Sequence, residues 1–301
     1  MKKFETPFGI KKPPMKKVFK WKINALFSKK RPKVIDDYFK LKVNFLNKID
    51  LNTKSDFIIW IGHAAYYIQI VGLKILTDPI FYNLPFIPRF ADIPINPKDL
   101  EPDIILISHG HYDHLDIKSL EILDIYKKQI KIIMPLSLSS YLKKDANIQE
   151  LPWWDEYSHG NIEIICTPAS HWHRRGAFDF NKALWCSFII KSNNKNIFFA
   201  GDTALNTHFD EIQKQNIPID IALMPIGAYL PVDIMKDSHM NPLEALKATN
   251  ILKAKTMIPY HYGTFKLSDE PIGEPHSWIN NLSKSSDINI KILDVGELYN
   301  F

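Results

Sequence analysis

The sequence predicts an α/β fold in which two sheets are covered by outer helices, and three observations carry that expectation. From residue 56 onward, short β-branched runs bounded by turn residues recur and outnumber helical segments. Helix-period segments fall between the groups of strands rather than in one block, which puts helices on the outer faces of sheets. Polar side chains also stand just beyond several apolar strands, most densely in His-Gly-His-Tyr-Asp-His at 109–114.

In chain order, Asp56 to Ile61 reads as a strand leading into Gly62 and His63. Tyr66 to Ile70 and Lys74 to Thr77 form a hairpin across Val71 and Gly72. The stretch 81–102, rich in Pro and aromatics, reads as a surface loop flanking a site. Ile104 to Ile107 is too β-branched and too short for anything but a buried strand, and Ser108 and Gly110 then break the pattern. Apolar spacing at 117, 120, 122, 123 and 125 predicts a helix over 117–128, followed by a buried strand at 131–134. Further strands are expected at 162–166, 184–190, 197–200, 220–224 and 256–259. Pro242 to Leu252 reads as a helix, with Asn241 as its cap and Pro242 at its first position. No repeat of 20–50 residues is visible.

With 301 residues, 46% hydrophobic and 24% charged, the chain can bury a full core. Its only cysteines, Cys166 and Cys186, sit in apolar strand-like runs and read as buried free thiols of a reducing compartment, with a single disulfide as the alternative. No apolar stretch is long enough to span a bilayer, so a cytoplasmic or peripheral-membrane location is expected. The net charge of +5 hides an asymmetry. Residues 1–33 hold twelve Lys or Arg against one acid, Glu5, a local +11 that leaves −6 for the remaining 268 residues. Phe19, Trp21, Ile23, Leu26 and Phe27 are interleaved with these cations, and charges interrupt every stretch that could serve as a signal peptide. Residues 1–50 thus read as a basic aromatic arm and 51–301 as the folded domain. Such an arm can dock on anionic lipid headgroups, each cation contributing on the order of 1 kcal/mol. Nucleic-acid backbone ranks behind the membrane as its target, and a solvated tail is the plain alternative.

Imidazole nitrogens suit divalent zinc, and a carboxylate adds a hard oxygen ligand beside them. His109, His111, Asp113 and His114 cannot all reach one ion from a single short turn, so the spacing suggests two adjacent metals. His171, Asp202 and His261 each follow a hydrophobic strand, where a sheet presents side chains to a crevice.

This constellation, His-x-His-x-Asp-His with a later His, an Asp in Ala-Gly-Asp-Thr and a final His, resembles the metallo-β-lactamase superfamily. The resemblance extends to the N-acyl-phosphatidylethanolamine-hydrolysing phospholipase D branch and its bacterial relatives. It is carried by W-I-G-H-A (60–64), L-T-D-P-I-F (76–81), S-H-G-H-Y-D-H-L-D (108–116) and W-W-D-E (153–156). It continues in T-P-A-S-H-W-H-R-R-G (167–176), N-K-A-L-W (181–185), A-G-D-T (200–203) and M-P-I-G-A-Y (224–229). H-M-N-P-L-E-A (239–245), H-Y-G-T-F (261–265) and E-P (274–275) complete the set.

The resemblance implies a four-layer αββα sandwich and two zinc ions, with iron or manganese as substitutes. His109, His111 and His171 would hold the first ion, Asp113, His114 and His261 the second, and Asp202 would bridge both. Asp78 would orient a ligand imidazole, and His63 would either back the site or serve the fold. Asp113 and His239 are the catalytic candidates, His239 for substrate polarisation or proton transfer. His173 is not a ligand in this pattern, and His159, His208 and His276 are read as structural. One departure stands out: where the family usually carries an arginine after P-I-G-A-Y, this chain has Val232, followed by Asp233. Arg174 and Arg175 remain as phosphate partners. The implied activity is hydrolysis of N-acylated phosphatidylethanolamine to phosphatidic acid and an N-acylethanolamine at a membrane surface, by a protein that could be a homodimer. A lactonase or other small-ester hydrolase, a nuclease and a non-catalytic lipid-binding protein are the competing readings.

Overall fold

The computed structural model describes residues 3–5, 17–18, 20–21 and 39–301. Most of the basic arm, and the docking expectation attached to it, lies outside the described residues. Fourteen strands among the described residues make two seven-stranded sheets. The first holds β1 (Phe57–Gly62), β2 (Ala65–Ile70), β3 (Leu73–Thr77), β4 (Ile104–Leu106), β5 (Lys131–Pro135) and β6 (Ile148–Leu151), with β14 (Leu298–Asn300) beside β1. The second runs β13 (Asn289–Ile290), β12 (Thr256–Tyr260), β11 (Ile221–Pro225), β10 (Asn196–Phe199), β9 (Ser187–Ser192), β8 (Ile162–Thr167) and β7 (Glu156–His159). Helices α1 (Ile117–Ile122), α2 (His208–Gln213), α3 (Val232–Met235), α4 (Pro242–Ile251) and α5 (Glu274–Ser283) complete the α/β sandwich.

Both faces of the first sheet are buried, which explains its nearly continuous apolar runs. Side chains alternate between two cores. Ile58, Trp60, Tyr66, Ile68, Ile104, Leu106 and Ile133 join the core shared with Ile164, Phe188, Ile190 and Phe198 of the second sheet. Their neighbours Phe57, Ile59, Ile61, Tyr67, Ile105 and Ile132 face the other way, against Leu115, Leu120 and Leu123 around α1.

Parallel pairing of β3 with β4, of β10 with β11 and of β11 with β12 brings several strand ends to one edge. There lie His63 after β1, Asp78 after β3, the 109–114 cluster after β4, His171 after β8, Asp202 after β10 and His261 after β12. His63, Asp78 and His261 adopt positive φ (53, 32 and 65°), the sharp exits that turn these side chains off their strands.

Several expectations need correcting. The helix at 117–128 ends at Ile122, because Asp124 takes a left-handed φ of 62° and the chain continues as turns. The strand expected at 184–190 is β9 and begins at Ser187. Before it, Leu184 and Cys186 donate their backbone N–H to Leu136 and Ser108 rather than to a neighbouring strand of the second sheet. The packed chain also begins ahead of residue 51. Val43 bridges Val295, Asn44 donates to the Val295 carbonyl (2.8 Å) and Leu46 to that of Pro94 (2.7 Å). The capped helix after Asn241 forms as expected, with a reciprocal pair of bonds between Asn241 and Glu244. Both cysteines are free and buried.

Candidate metal centre

Seven side chains converge at this edge of the two sheets. His109 Nε2 and His171 Nε2 lie 2.9 and 3.1 Å from His111 Nδ1. Beside them, Asp113 Oδ2 is 3.5 Å from His114 Nε2 and 3.6 Å from His261 Nε2. Asp202 sits between the clusters. Its Oδ2 is 3.2 Å from His114 Nε2 and 4.0 Å from both His109 Nε2 and His171 Nε2, while Oδ1 is 3.1 Å from His261 Nε2.

The outer nitrogens fix which atoms face inward. His114 Nδ1 donates to Asp78 Oδ2 (2.7 Å) and His171 Nδ1 to the Ser238 carbonyl (2.9 Å). The Ser108 hydroxyl donates to Asp78 Oδ2 (2.5 Å), so its oxygen accepts from His109 Nδ1 (3.0 Å). Each of these three imidazoles therefore turns its Nε2 towards the centre, where a neutral ring presents a lone pair. The Nε2 atoms of His109 and His171 both point at His111 Nδ1, a grouping that a cation between the three rings would satisfy. Tetrahedral ligands about 2.1 Å from an ion sit about 3.4 Å from one another, close to the spacings seen here. His111 Nε2, His114 Nε2, His261 Nε2 and Asp202 Oδ1 are buried with no hydrogen-bond partner. The donor set therefore fits divalent metal, with His109, His111 and His171 as one group able to hold an ion and Asp113, His114, His261 and His63 as another.

The electrostatics point the same way. Burial pushes the Asp113 and Asp202 carboxyls up, but the facing imidazoles, His114 first, outweigh it and hold both well below the usual range. Burial pushes His114 and His261 down, yet the carboxylates reverse this, raising His114 well above its ordinary value and His261 to about 9. Burial dominates for His109 and His171, which fall well below theirs, and for His111, which falls to about 3. The site thus holds ionised carboxylates that draw positive charge onto His114 and His261, beside His109, His111 and His171, which burial keeps neutral.

Around this set, Asp78 is placed as expected, and His63 gains a definite position. Its Nε2 is 3.1 Å from Asp113 Oδ2, its backbone N–H bonds Thr264 Oγ1, and burial lowers it to about 3. His239 Nδ1 lies 3.8 Å from Asp202 Oδ2, and burial lowers it to about 4. His173 stands outside the metal-competent groups. His159 lies on β7, His208 packs in α2 against Phe209, and His276 packs against Tyr262. The two arginines are engaged locally: Arg175 Nη1 donates to the Gly110 carbonyl (3.1 Å) with its guanidinium over the Tyr112 ring, and Arg174 Nε donates to Gly176. Val232 is exposed at the start of α3, and the acid after it, Asp233, is paired with Lys17 (3.1 Å).

Sequence reading missed Ser108 and Arg89. The Arg89 guanidinium is half-buried at the site edge and donates to the carbonyls of Ile61, Ile80 and Ala91. A cation in a proline-rich loop carries no signal that it will cap strand ends. Ser108 could have been found, since a hydroxyl before the first ligand is within reach of its imidazole.

The profile of the beta-lactamase superfamily domain matches residues 74–262. The N-acyl-phosphatidylethanolamine-hydrolyzing phospholipase D 1 of Caenorhabditis elegans is 31% identical over 292 residues, covering 89% of this chain and 82% of that protein. The mitochondrial N-acyl-phosphatidylethanolamine-hydrolyzing phospholipase D of Saccharomyces cerevisiae is 35% identical over 240 residues, covering 75% of this chain and only 51% of the yeast protein. Among solved structures, an isothiocyanate hydrolase from Delia radicum gut bacteria shares the fold, with a TM-score of 0.66 at 19% identity over 81% of this chain and 98% of that one. Matched in profile, in relatives and in fold, this chain belongs to the metallo-β-lactamase superfamily, a family of metal-dependent hydrolases.

Proposed function

We propose that the chain is a binuclear zinc phosphodiesterase of phospholipase D type, acting on N-acylated phosphatidylethanolamine-like lipids. The observation that carries the hydrolase reading is the position of Asp202, 3.1–3.2 Å from His261 and His114 of one ligand group and 4.0 Å from His109 and His171 of the other. The lipid reading rests on the names of the nematode and yeast relatives and on the basic aromatic arm.

When bound, the ions supply Lewis acidity and bring the pKa of a coordinated water into the neutral range. His109, His111 and His171 would hold one ion, and Asp113, His114 and His261 the other, with Asp202 shared. Asp78, Ser108 and the Ser238 carbonyl keep the imidazole lone pairs inward. In this reading Asp113 would accept a proton from the attacking water. That water's oxygen ends on phosphorus as the bond to the ethanolamine oxygen breaks, giving phosphatidic acid and an N-acylethanolamine. His239 is 14% exposed at the site and largely neutral at pH 7, so it can relay the proton that the leaving alkoxide needs.

The test joins metal analysis to a lipid assay. Purified protein is expected to hold close to two zinc ions and to release N-acylethanolamine from a mixed membrane extract, while Asp202→Asn loses both. Protein that is metal-free after gentle purification overturns the hydrolase reading. Metal-loaded protein that opens lactones but leaves the lipid intact overturns only the substrate.

A further inference from the structure

Outside the ligands, one carboxylate gathers a cluster that leads back to a single glycine between two of them. Asp179 Oδ2 accepts from the Tyr141 hydroxyl (2.7 Å) and from Gly176 N (2.7 Å), and the carboxylate also accepts from Arg175 N (3.2 Å). Because the Tyr141 proton goes to Asp179, the phenol oxygen accepts from His173 Nε2 (3.0 Å), which fixes the tautomer of that ring. The ring is buried and packs against Gly110, where a Cβ would come within 2.3 Å of His173 Cε1. On the other arm, Arg175 Nη1 donates to the Gly110 carbonyl (3.1 Å) and approaches that of His111 (3.5 Å). Its guanidinium lies over the Tyr112 ring (4.2 Å to the centroid) and within 5.8 Å of the Tyr141 ring centre.

We infer that Asp179 is a positioning residue for the His109–Gly110–His111 segment, acting through two arms, Tyr141–His173 and Arg175, that meet at Gly110. This rests on the metal-centre reading above and extends it to groups that touch no ligand atom of the second cluster. The physical reason is economy of motion. Glycine at 110 gives the segment its close fit but no side chain to anchor it, so its place must be set from outside. His173 blocks movement of Gly110 in one direction, and the Arg175 bonds hold the carbonyls in the other. His114 N also donates to the His111 carbonyl (3.2 Å). The side chains of Asp113 and His114 nonetheless have partners of their own in His63 and Asp78, and His261 follows another strand. Loosening the clamp therefore acts first on the His109–His111 half of the centre.

The experiment is cobalt(II) titration of metal-free full-length protein, followed by visible absorption against a competing chelator. His111→Ala and His261→Ala assign the two binding steps, each variant losing one. In Asp179→Ala the step that depends on His111 is expected to weaken about 10–100-fold while the other stays within about twofold. Tyr141→Phe, which removes a single hydroxyl, should shift the same step in the same direction by less, and it serves if Asp179→Ala does not fold. Equal weakening of both steps, or no change in either, overturns the inference while leaving the metal centre intact. Failure of the wild-type protein to take up cobalt overturns both.

Discussion

Asp78 Oδ2 lies 2.7 Å from His114 Nδ1, with both side chains fully buried. The same oxygen accepts the Ser108 hydroxyl that in turn accepts from His109. One carboxylate thereby sets the tautomer of an imidazole in each ligand group. Asp78→Asn keeps the shape but loses the charge and one acceptor. It is expected to weaken both metal-binding steps about 10–100-fold, in contrast to the one-sided effect of Asp179→Ala. Titration of the two variants side by side distinguishes them, and an Asp78→Asn variant with wild-type affinities would show that the charge is dispensable.

Gly227 packs its α-carbon against the chain at His261, where a Cβ would fall 2.0 Å from the His261 carbonyl oxygen. The obstacle is backbone, which cannot rotate aside. Gly227→Ala should therefore cost about 1–3 kcal/mol or more and displace His261. Denaturant midpoints measure the first effect and metal stoichiometry the second; an unchanged midpoint would mean that the 227 and 261 segments separate freely.

His208, buried in α2, is pushed by burial from 6.5 down to about 3. Between those values the unfolded chain binds the proton and the folded chain does not, so the stabilisation is full above about pH 6.5 and lost as pH falls towards 3. Each unit corresponds to about 1.4 kcal/mol. Urea midpoints at pH 7 and pH 4.5 should differ less in His208→Gln, whose side-chain amide can still meet Thr203, than in the wild type. Equal slopes would assign the acid sensitivity to other groups.

Deleting residues 1–33 should weaken sedimentation with anionic liposomes and leave hydrolysis of a soluble diester intact. Two described arm residues touch acidic positions of the body: Lys17 pairs with Asp233, and Trp21 Nε1 donates to Asp269 (2.7 Å). Both are exposed contacts of small expected worth, so the deletion should cost little stability. Equal liposome binding by the truncated protein removes the membrane-docking proposal.

That these seven side chains would converge was legible because the strand-end residues follow apolar runs that could only be buried strands, and polar residues at strand ends have few structural reasons to recur. The clamp was not legible. Tyr141, at the end of a short 3-10 helix, and Asp179, in a loop, are 38 residues apart, and nothing local marks them as partners. Strands β6 and β7 were also missed. Ile148–Leu151 reads Ile-Gln-Glu-Leu with one buried residue, and Glu156–His159 has none, so their pairing is set by β5 and β8 rather than by their own hydrophobic pattern. The helix over 117–128 failed for the opposite reason: its apolar spacing was real, but Leu123 and Ile125 reach the core from turns.

Each ligand group draws on both sheets: His109 and His111 with His171, and Asp113 and His114 with His261. A metal ion held there would act as a crosslink between the two halves of the polypeptide, joining residues more than fifty positions apart. Shear of one sheet over the other would then have to break coordination bonds before it could slide the core. The centre would be a gauge of sheet docking as much as a reactive site, so that metal release and separation of the halves become one event at the rim.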